Sequence, residues 1–204
     1  MKSELRSEWE ITDLGEPAKI VGIEITRGEG YVTIAQKNYV REILKREGME
    51  YANPVAMPMD LNVELRPNPD GNDGNRSNSY ARLLGELQYL ANATRPDIAY
   101  AVNRLAAYTA NPSLQHISAL KRVLRYLCGT KDYGITYRKP SNNKECALCD
   151  GYADTAYANS DDLKSMSGCV YMAAAGAVTW RSKKQATIAL SSTEAEYVAL
   201  SEAG

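Results

Sequence analysis

Ser167 to Leu200 reads SGCVYMAAAGAVTWRSKKQATIALSSTEAEYVAL, and this stretch decides the fold. Two apolar runs come first, then a basic knot of Arg181, Lys183 and Lys184, then a short strand-like piece. Ser191-Ser-Thr-Glu194-Ala-Glu196 follows and opens a helix. Upstream, Asp154 is an isolated carboxylate in a short segment that reads as another strand. The pattern predicts three antiparallel strands feeding a helix, with one acid on the first strand and one in the helix.

Ser191-x-x-Glu194 has the spacing of a capping box, in which each residue's side chain satisfies the other's backbone N–H. That accounts for Glu194 and leaves Glu196 without a structural role. Glu196 sits beside Ala195, Val198 and Ala199, so the spacing places it near or within the apolar face. A carboxylate there costs free energy unless a cation pairs with it. A divalent metal would serve, with Asp154, expected on a central strand, as a second ligand. Two-metal phosphodiester cleavage needs several hard oxygen ligands around ions about 4 Å apart. Asp161 and Asp162 fall in a turn and read as solvated. Three strands and a helix carrying these two acids make the opening half of a ribonuclease H fold.

The other residues bound the answer more loosely. A chain of 204 residues has room for one large or two small domains, and its net charge of −1 advertises no nucleic acid globally. Any basic surface has to be local. No apolar run approaches the roughly 18 residues of a spanning helix and no leader pattern opens the chain, so no membrane association is expected and cytosol or nucleus is the expected compartment. Cys146 and Cys149 have a metal-knuckle spacing but no second pair to match, and His116 is the sole histidine. On a strand the two thiols would face opposite ways, so free, reduced cysteines are expected.

In chain order, Ala18 to Thr26 reads as a strand, Arg27 to Gly30 as a turn and Tyr31 to Gln36 as the partner strand. Gly22 inside the first strand marks a bulge or a close backbone approach. Asn38 to Glu47 is amphipathic on Tyr39, Val40, Ile43 and Leu44. Residues 53–79, rich in Pro, Gly and Asn, read as a linker. Three helices follow. Ser79 caps the first, Pro96 starts the second and Asn111 caps the third. The third buries Ile117, Leu120, Leu124 and Leu127 and turns Lys121, Arg122 and Arg125 outward. Between Ser118 and Lys139 six basic residues stand against Asp132 alone, a local patch suited to phosphates as well as to a solvated helix face. His116 reads as a packing residue.

Several longer stretches carry a resemblance. Tyr80-Ala-Arg-Leu-Leu-Gly-Glu-Leu-Gln-Tyr-Leu90, Thr94-Arg-Pro-Asp-Ile98, Lys121-Arg-Val-Leu-Arg-Tyr-Leu127 with Gly129-Thr130, Trp180-Arg-Ser-Lys-Lys-Gln185 and Ala189 to Tyr197 resemble the Pol polyprotein of copia-type LTR retrotransposons. The likeness runs from Ile11 to Gly204. It implies an α+β chain in four parts. Residues 1–52 would end the reverse transcriptase palm with a primer-grip hairpin, from Asp13-Leu-Gly15 through Ile25, and a first thumb helix, Gly22 being the close-approach glycine. Residues 53–79 would be the linker, 80–139 a helical thumb and connection region, and 140–204 the N-terminal half of a ribonuclease H domain.

The resemblance further implies that Asp154 and Glu196 are the first two catalytic, Mg2+-binding acids. It implies that Lys121, Arg122, Arg125, Arg181, Lys183 and Lys184, with Gly22, meet nucleic acid. The partners would be an RNA–DNA hybrid or template–primer duplex and the remainder of the polyprotein, with no small-molecule cofactor. Ala156 and Tyr157 stand where the family usually has a second Asp and a Trp. The paired aspartates of the polymerase are expected upstream of residue 1, and the last two ribonuclease H acids beyond Gly204. The functional expectation is therefore a polyprotein fragment that binds nucleic acid and holds part of a nuclease site. The alternatives are an inactive nucleic-acid-binding transposon remnant and a scaffold without any nucleic-acid role.

Overall fold

The structure is a computed structural model that describes residues 9–10, 12, 15–60, 62–69, 74–139, 150–157 and 163–203. Asp13, Cys146, Cys149, Asp161 and Asp162 lie outside the described residues. The architecture is α+β, with two antiparallel sheets flanking a helical core.

The first sheet runs in the order β1 (Lys19–Ile20), β2 (Ile23–Gly28), β3 (Tyr31–Ala35), β4 (Gly134–Arg138). The sequence reads one strand over 18–26, but the chain reverses at Val21-Gly22, where φ is 46° and 78° and Ile20 pairs with Ile23. Two successive positive φ values match the twist of a tight hairpin. The cost falls on Val21, since a β-branched residue rarely adopts the left-handed region. Tyr89 offsets it by donating its hydroxyl to the Val21 carbonyl. Gly22 is thus a turn residue, and a Cβ there would lie 3.2 Å from the Tyr89 hydroxyl.

β4 is the strand missing from the helical reading of 80–139. It pairs with β3 in the register Ile34↔Ile135, and Thr33 shares a 2.8 Å hydroxyl contact with Thr136 across the pair.

One apolar cluster joins α1 (Lys37–Arg46), α2 (Gly74–Ala93), α3 (Ala99–Ala106) and α4 (Leu114–Gly129). Val40, Ile43 and Leu44 fill it from α1, Leu84, Leu87 and Leu90 from α2, Val102 and Leu105 from α3, and Leu120, Leu124 and Leu127 from α4. The α1 and α4 stripes are those expected, and each such side chain contributes about 1.5–3 kcal/mol on burial.

The ends of the helices differ from expectation. Residues 74–78 extend α2 ahead of Ser79, and Ser77 donates to the Ala110 carbonyl at 3.0 Å. A 3-10 turn, Pro96–Ile98, precedes α3. Ser113 caps α4, its N–H donating to His116 Nδ1 at 2.9 Å. Asn111 pairs instead with Asn68. His116 is fully buried and stacks on Tyr108 at 3.9 Å, a packing residue as read. The 53–79 segment is strapped down where it is described. Leu65 enters the core, Tyr108 donates to the Leu65 carbonyl, and Arg125 Nε donates to the Asn53 carbonyl at 2.8 Å.

Between α2 and α3 sits Arg95, only 1% exposed. Its Nε and Nη2 donate to Asp97 at 3.0 and 2.7 Å, while Nη1 and Nη2 reach the Thr130 carbonyl and hydroxyl at 3.0 and 2.6 Å. Tyr126 donates to Asp97 at 2.8 Å. Beside Arg95, Thr94 donates to the buried Gln36 side chain at 2.9 Å.

The second sheet, β5 (Asp150–Ala156), β6 (Met166–Ala173) and β7 (Gly176–Lys184), is followed by α5 (Ser192–Ala203). It docks through Trp180 Nε1 to the Ala91 carbonyl (2.6 Å), Tyr137 hydroxyl to the Ala177 carbonyl (2.7 Å) and the Arg138 N–H to the Ala174 carbonyl (2.7 Å). Gly176 permits this approach, because a Cβ there would stand 2.6 Å from the Tyr137 ring.

Removing Asp97 strands a buried guanidinium. Asp97→Ala is expected to destabilise the fold by about 3–5 kcal/mol in chemical denaturation; a loss under about 1 kcal/mol contradicts that role. Burial first, then Asp97, pushes the Tyr126 phenol up from 10.0 to about 12. The folded state therefore holds this proton more tightly than the unfolded chain. Its stabilising share is complete below pH 10 and lost as pH rises towards 12. Tyr80, Tyr39 and Tyr137 are raised too, each with burial as the leading cause. Denaturation midpoints should fall above pH 10, and less steeply in Tyr126→Phe.

Candidate nucleic-acid interface and carboxylate pair

The strand–strand–strand–helix order expected from Asp154 to Glu196 is present, and the cap of α5 forms much as read. The Glu194 N–H donates to Ser191 Oγ at 3.1 Å, and the Glu194 carboxylate accepts the Leu190 N–H at 2.7 Å, one residue ahead of the expected partner. Ala195 and Ala199 are the buried residues of α5, and their small side chains let the helix lie close on the sheet.

Gln185 fixes that packing, and sequence reasoning missed it. From the end of β7 its Nε2 donates to Ser167 Oγ and to the Ala195 carbonyl, both at 2.9 Å, and its backbone N–H to the Ser165 carbonyl. A buried glutamine reads as a surface residue in a basic run; only its position just beyond Lys184, where the strand must hand over to the helix, hints at the role.

The register then assigns the faces. Thr155, Ser167 and Lys183 are cross-strand partners, as are Ala153, Cys169 and Arg181. Gln185 links Ser167 to α5, and Lys183 Nζ approaches Glu202 of α5 at 3.8 Å, so this set faces the helix. Successive side chains alternate. Asp154, opposite Gly168 and Ser182, therefore belongs to the other face, as do Tyr152, Trp180 and Lys184. That face bounds a groove of about 540 Å³ whose far wall is Pro96, Asp97 and Tyr100.

The two carboxylates are thus not brought together on one surface. Asp154 is exposed on the groove side of β5, an edge strand of the described sheet rather than a central one. Glu196 is exposed on the helix that covers the opposite side. The premise that Glu196 lies in the apolar face is corrected: the buried stripe is Ala195 and Ala199, one residue off, so Glu196 has no need of a cation for its own solvation. Among the described residues no group of three His, Cys, Asp or Glu side chains is placed to hold a metal. With no third acidic, His or Cys side chain grouped beside them among the described residues, Asp154 and Glu196 by themselves offer Mg2+ too few hard oxygen ligands.

The basic residues are also divided. Arg181 and Lys183 face α5, and Lys184 the groove side. On α4, Arg125 holds the Asn53 carbonyl, Arg122 Nη1 stands 3.7 Å from Asp60, and Lys121 is exposed. All three line a second cavity, of about 330 Å³. The stripe was legible; the loop folded across it was not. Gly22 is not among the described residues that line either cavity.

The chain matches no protein-family model and no solved structure. Curated sequences do match. The chain is 33% identical over 212 residues to the retrovirus-related Pol polyprotein from transposon TNT 1-94 of Nicotiana tabacum, covering all of this chain and 16% of that protein. It is 40% identical over 178 residues to the retrovirus-related Pol polyprotein from transposon RE2 of Arabidopsis thaliana, covering 87% of this chain and 12% of that protein. An uncharacterized mitochondrial protein of Arabidopsis thaliana, AtMg00810, is 34% identical over 97% of this chain and 80% of its own length. The chain belongs to the retrovirus-related Pol polyproteins of copia-type transposons. It spans less than a fifth of the Pol polyproteins it matches. No helix among the described residues is long and apolar enough to cross a membrane.

Ser191→Ala removes an N-cap acceptor and should cost about 1 kcal/mol. Glu196→Gln, on an exposed site, should leave thermal stability within about 0.5 kcal/mol. A large loss at Glu196 would show that it is tied into the fold.

Proposed function

We propose that this chain is the nucleic-acid-gripping segment of a copia-type reverse transcriptase–ribonuclease H polyprotein, with residues 150–203 forming the N-terminal half of the ribonuclease H unit. The likeness to transposon Pol polyproteins over nearly the whole chain carries this reading. Two features support it: the β5–β7 and α5 order with Asp154 and Glu196 at the family's positions, and the cationic face of α4. The ligand is an RNA–DNA hybrid or template–primer duplex, held through phosphates by Lys121, Arg122 and Arg125, with Arg181, Lys183, Lys184 and Gly22 as further contacts. The remainder of the polyprotein completes the enzyme.

In a complete ribonuclease H site, Asp154 and Glu196 would contribute two of the ligands to Mg2+, which would supply charge stabilisation for phosphodiester hydrolysis. Asp154 and Glu196, by sequence position the first two acids, stand on different sides of β5–β7, so no cleavage step is assigned to this chain alone. That separation favours a second reading, an inactive transposon remnant that still binds nucleic acid.

These residues alone should show no polymerase activity and no hybrid cleavage in Mg2+. Robust cleavage abolished by Asp154→Asn would overturn the separation of the acids. Hybrid binding, followed by fluorescence anisotropy, should weaken steeply with salt. Replacing Lys121, Arg122 and Arg125 by Ala should flatten the log–log slope by up to about 3; an unchanged slope removes α4 from the interface.

A further inference from the structure

The 330 Å³ cavity between α4 and the 59–65 segment has two unlike sides. Met59, Val63 and Leu65 supply apolar surface, while Lys121, Arg122 and Arg125 supply charge. The fold uses only part of that charge. Arg125 commits its Nε to Asn53, which leaves the guanidinium's terminal N–H donors. Arg122 meets Asp60 only loosely, at 3.7 Å, and its buried Nε has no hydrogen-bond partner among the described residues. Lys121 is exposed. Among the described residues three cations thus line one concavity against a single carboxylate. Lys121 and the terminal N–H groups of the two arginines are the donors that an anion with several oxygens engages.

We infer that this cavity seats a phosphate monoester borne on a nucleotide, with Lys121, Arg122 and Arg125 clasping the phosphate and Met59, Val63 and Leu65 lying under sugar and base. This rests on the reading of α4 as a nucleic-acid-contacting face and adds a commitment about the ligand. A duplex meets these cations only across the mouth of the cavity, one backbone charge at a time, and leaves the concavity itself unfilled. A strand end or a free nucleotide can, and its monoester brings close to two negative charges and three acceptor oxygens to one point. The volume is at the low end of small-ligand pockets, which suits one nucleotide. Asp60 occupies Arg122 until the phosphate displaces it.

Isothermal titration of the whole chain at low salt tests the seat, with thymidine 5′-monophosphate, thymidine and inorganic phosphate as probes. The nucleotide should bind roughly tenfold or more tighter than either fragment, because only it fills both sides. Arg122→Gln should weaken it about tenfold, the usual scale for losing a charge-assisted hydrogen bond. Lys121→Gln, on an exposed residue, should weaken it severalfold without touching the fold. Asp60→Asn should tighten it, since it removes the competing charge and keeps an oxygen for the Asn62 N–H. Equal affinity for inorganic phosphate and the nucleotide, or binding indifferent to both Lys121→Gln and Arg122→Gln, would overturn the seat. Hybrid binding that stays salt-dependent while the nucleotide fails to bind would sink the seat and leave the proposed function standing. Failure of both would sink both.

Discussion

A single buried guanidinium holds the two ends of the helical region in place. Arg95 occupies the junction of α2 and α3, and its partners lie on its own turn (Asp97) and just past the end of α4 (Thr130). A charge removed from water to this degree persists only when its N–H groups are paired. Asp97 takes two of them, Thr130 two more, and Tyr126 closes the remaining side of Asp97. The adjacent Thr94 reaches Gln36, which links β3 to α1. A closed circuit results: β3 to Gln36, Gln36 to Thr94, Arg95 to Thr130, Thr130 into β4, and β4 back onto β3. Each link is polar, so the helices cannot slide along one another as an apolar interface alone would allow.

The second sheet attaches to that circuit through carbonyls that the helices and strands leave available. Trp180 takes the Ala91 carbonyl near the end of α2, and Tyr137 takes the Ala177 carbonyl at the start of β7. The groove containing Asp154 is a by-product of this docking, because the sheet meets the α2–α3 region along β7 and stands away from it along β5. The chemistry expected of Asp154 thus depends on which side of the pleat it occupies, and a shift of one position reverses that.

What the sequence showed, it showed locally. The stripes of α1 to α4 repeat within a few residues, and the Ser191–Glu194 cap acts over three, so both could be read directly. Which side of the Ala-rich α5 is buried could not be, because Ala195, Val198 and Ala199 leave the apolar face too weakly marked to place Glu196. Arg95 lies within the Thr94–Ile98 stretch, and an arginine reads as solvated until its partner 35 residues away is known. β4 was lost for a similar reason. Gly134 to Arg138 is short, follows a long helix, and becomes a strand only through β3. On α4 the cations were found and their neighbours were not, because the 53–65 segment that crosses them has no periodicity to betray its path.

The pairing of β3 with β4 also governs the order in which the molecule can be made. Thr33 and Thr136 touch across a sequence separation of 103 residues. A ribosome delivers residues at roughly 5–20 per second, so the N-terminal hairpin must wait several seconds with the β3 edge open before its neighbour exists. Only the helices, whose contacts are closer in sequence, can gather during that interval. Long-range strand pairing of this kind slows folding and leaves a hydrogen-bonding edge free for other chains to capture. The hairpin's exposed Ile20, Val21, Tyr31 and Val32 make it the part of the nascent chain most in need of protection.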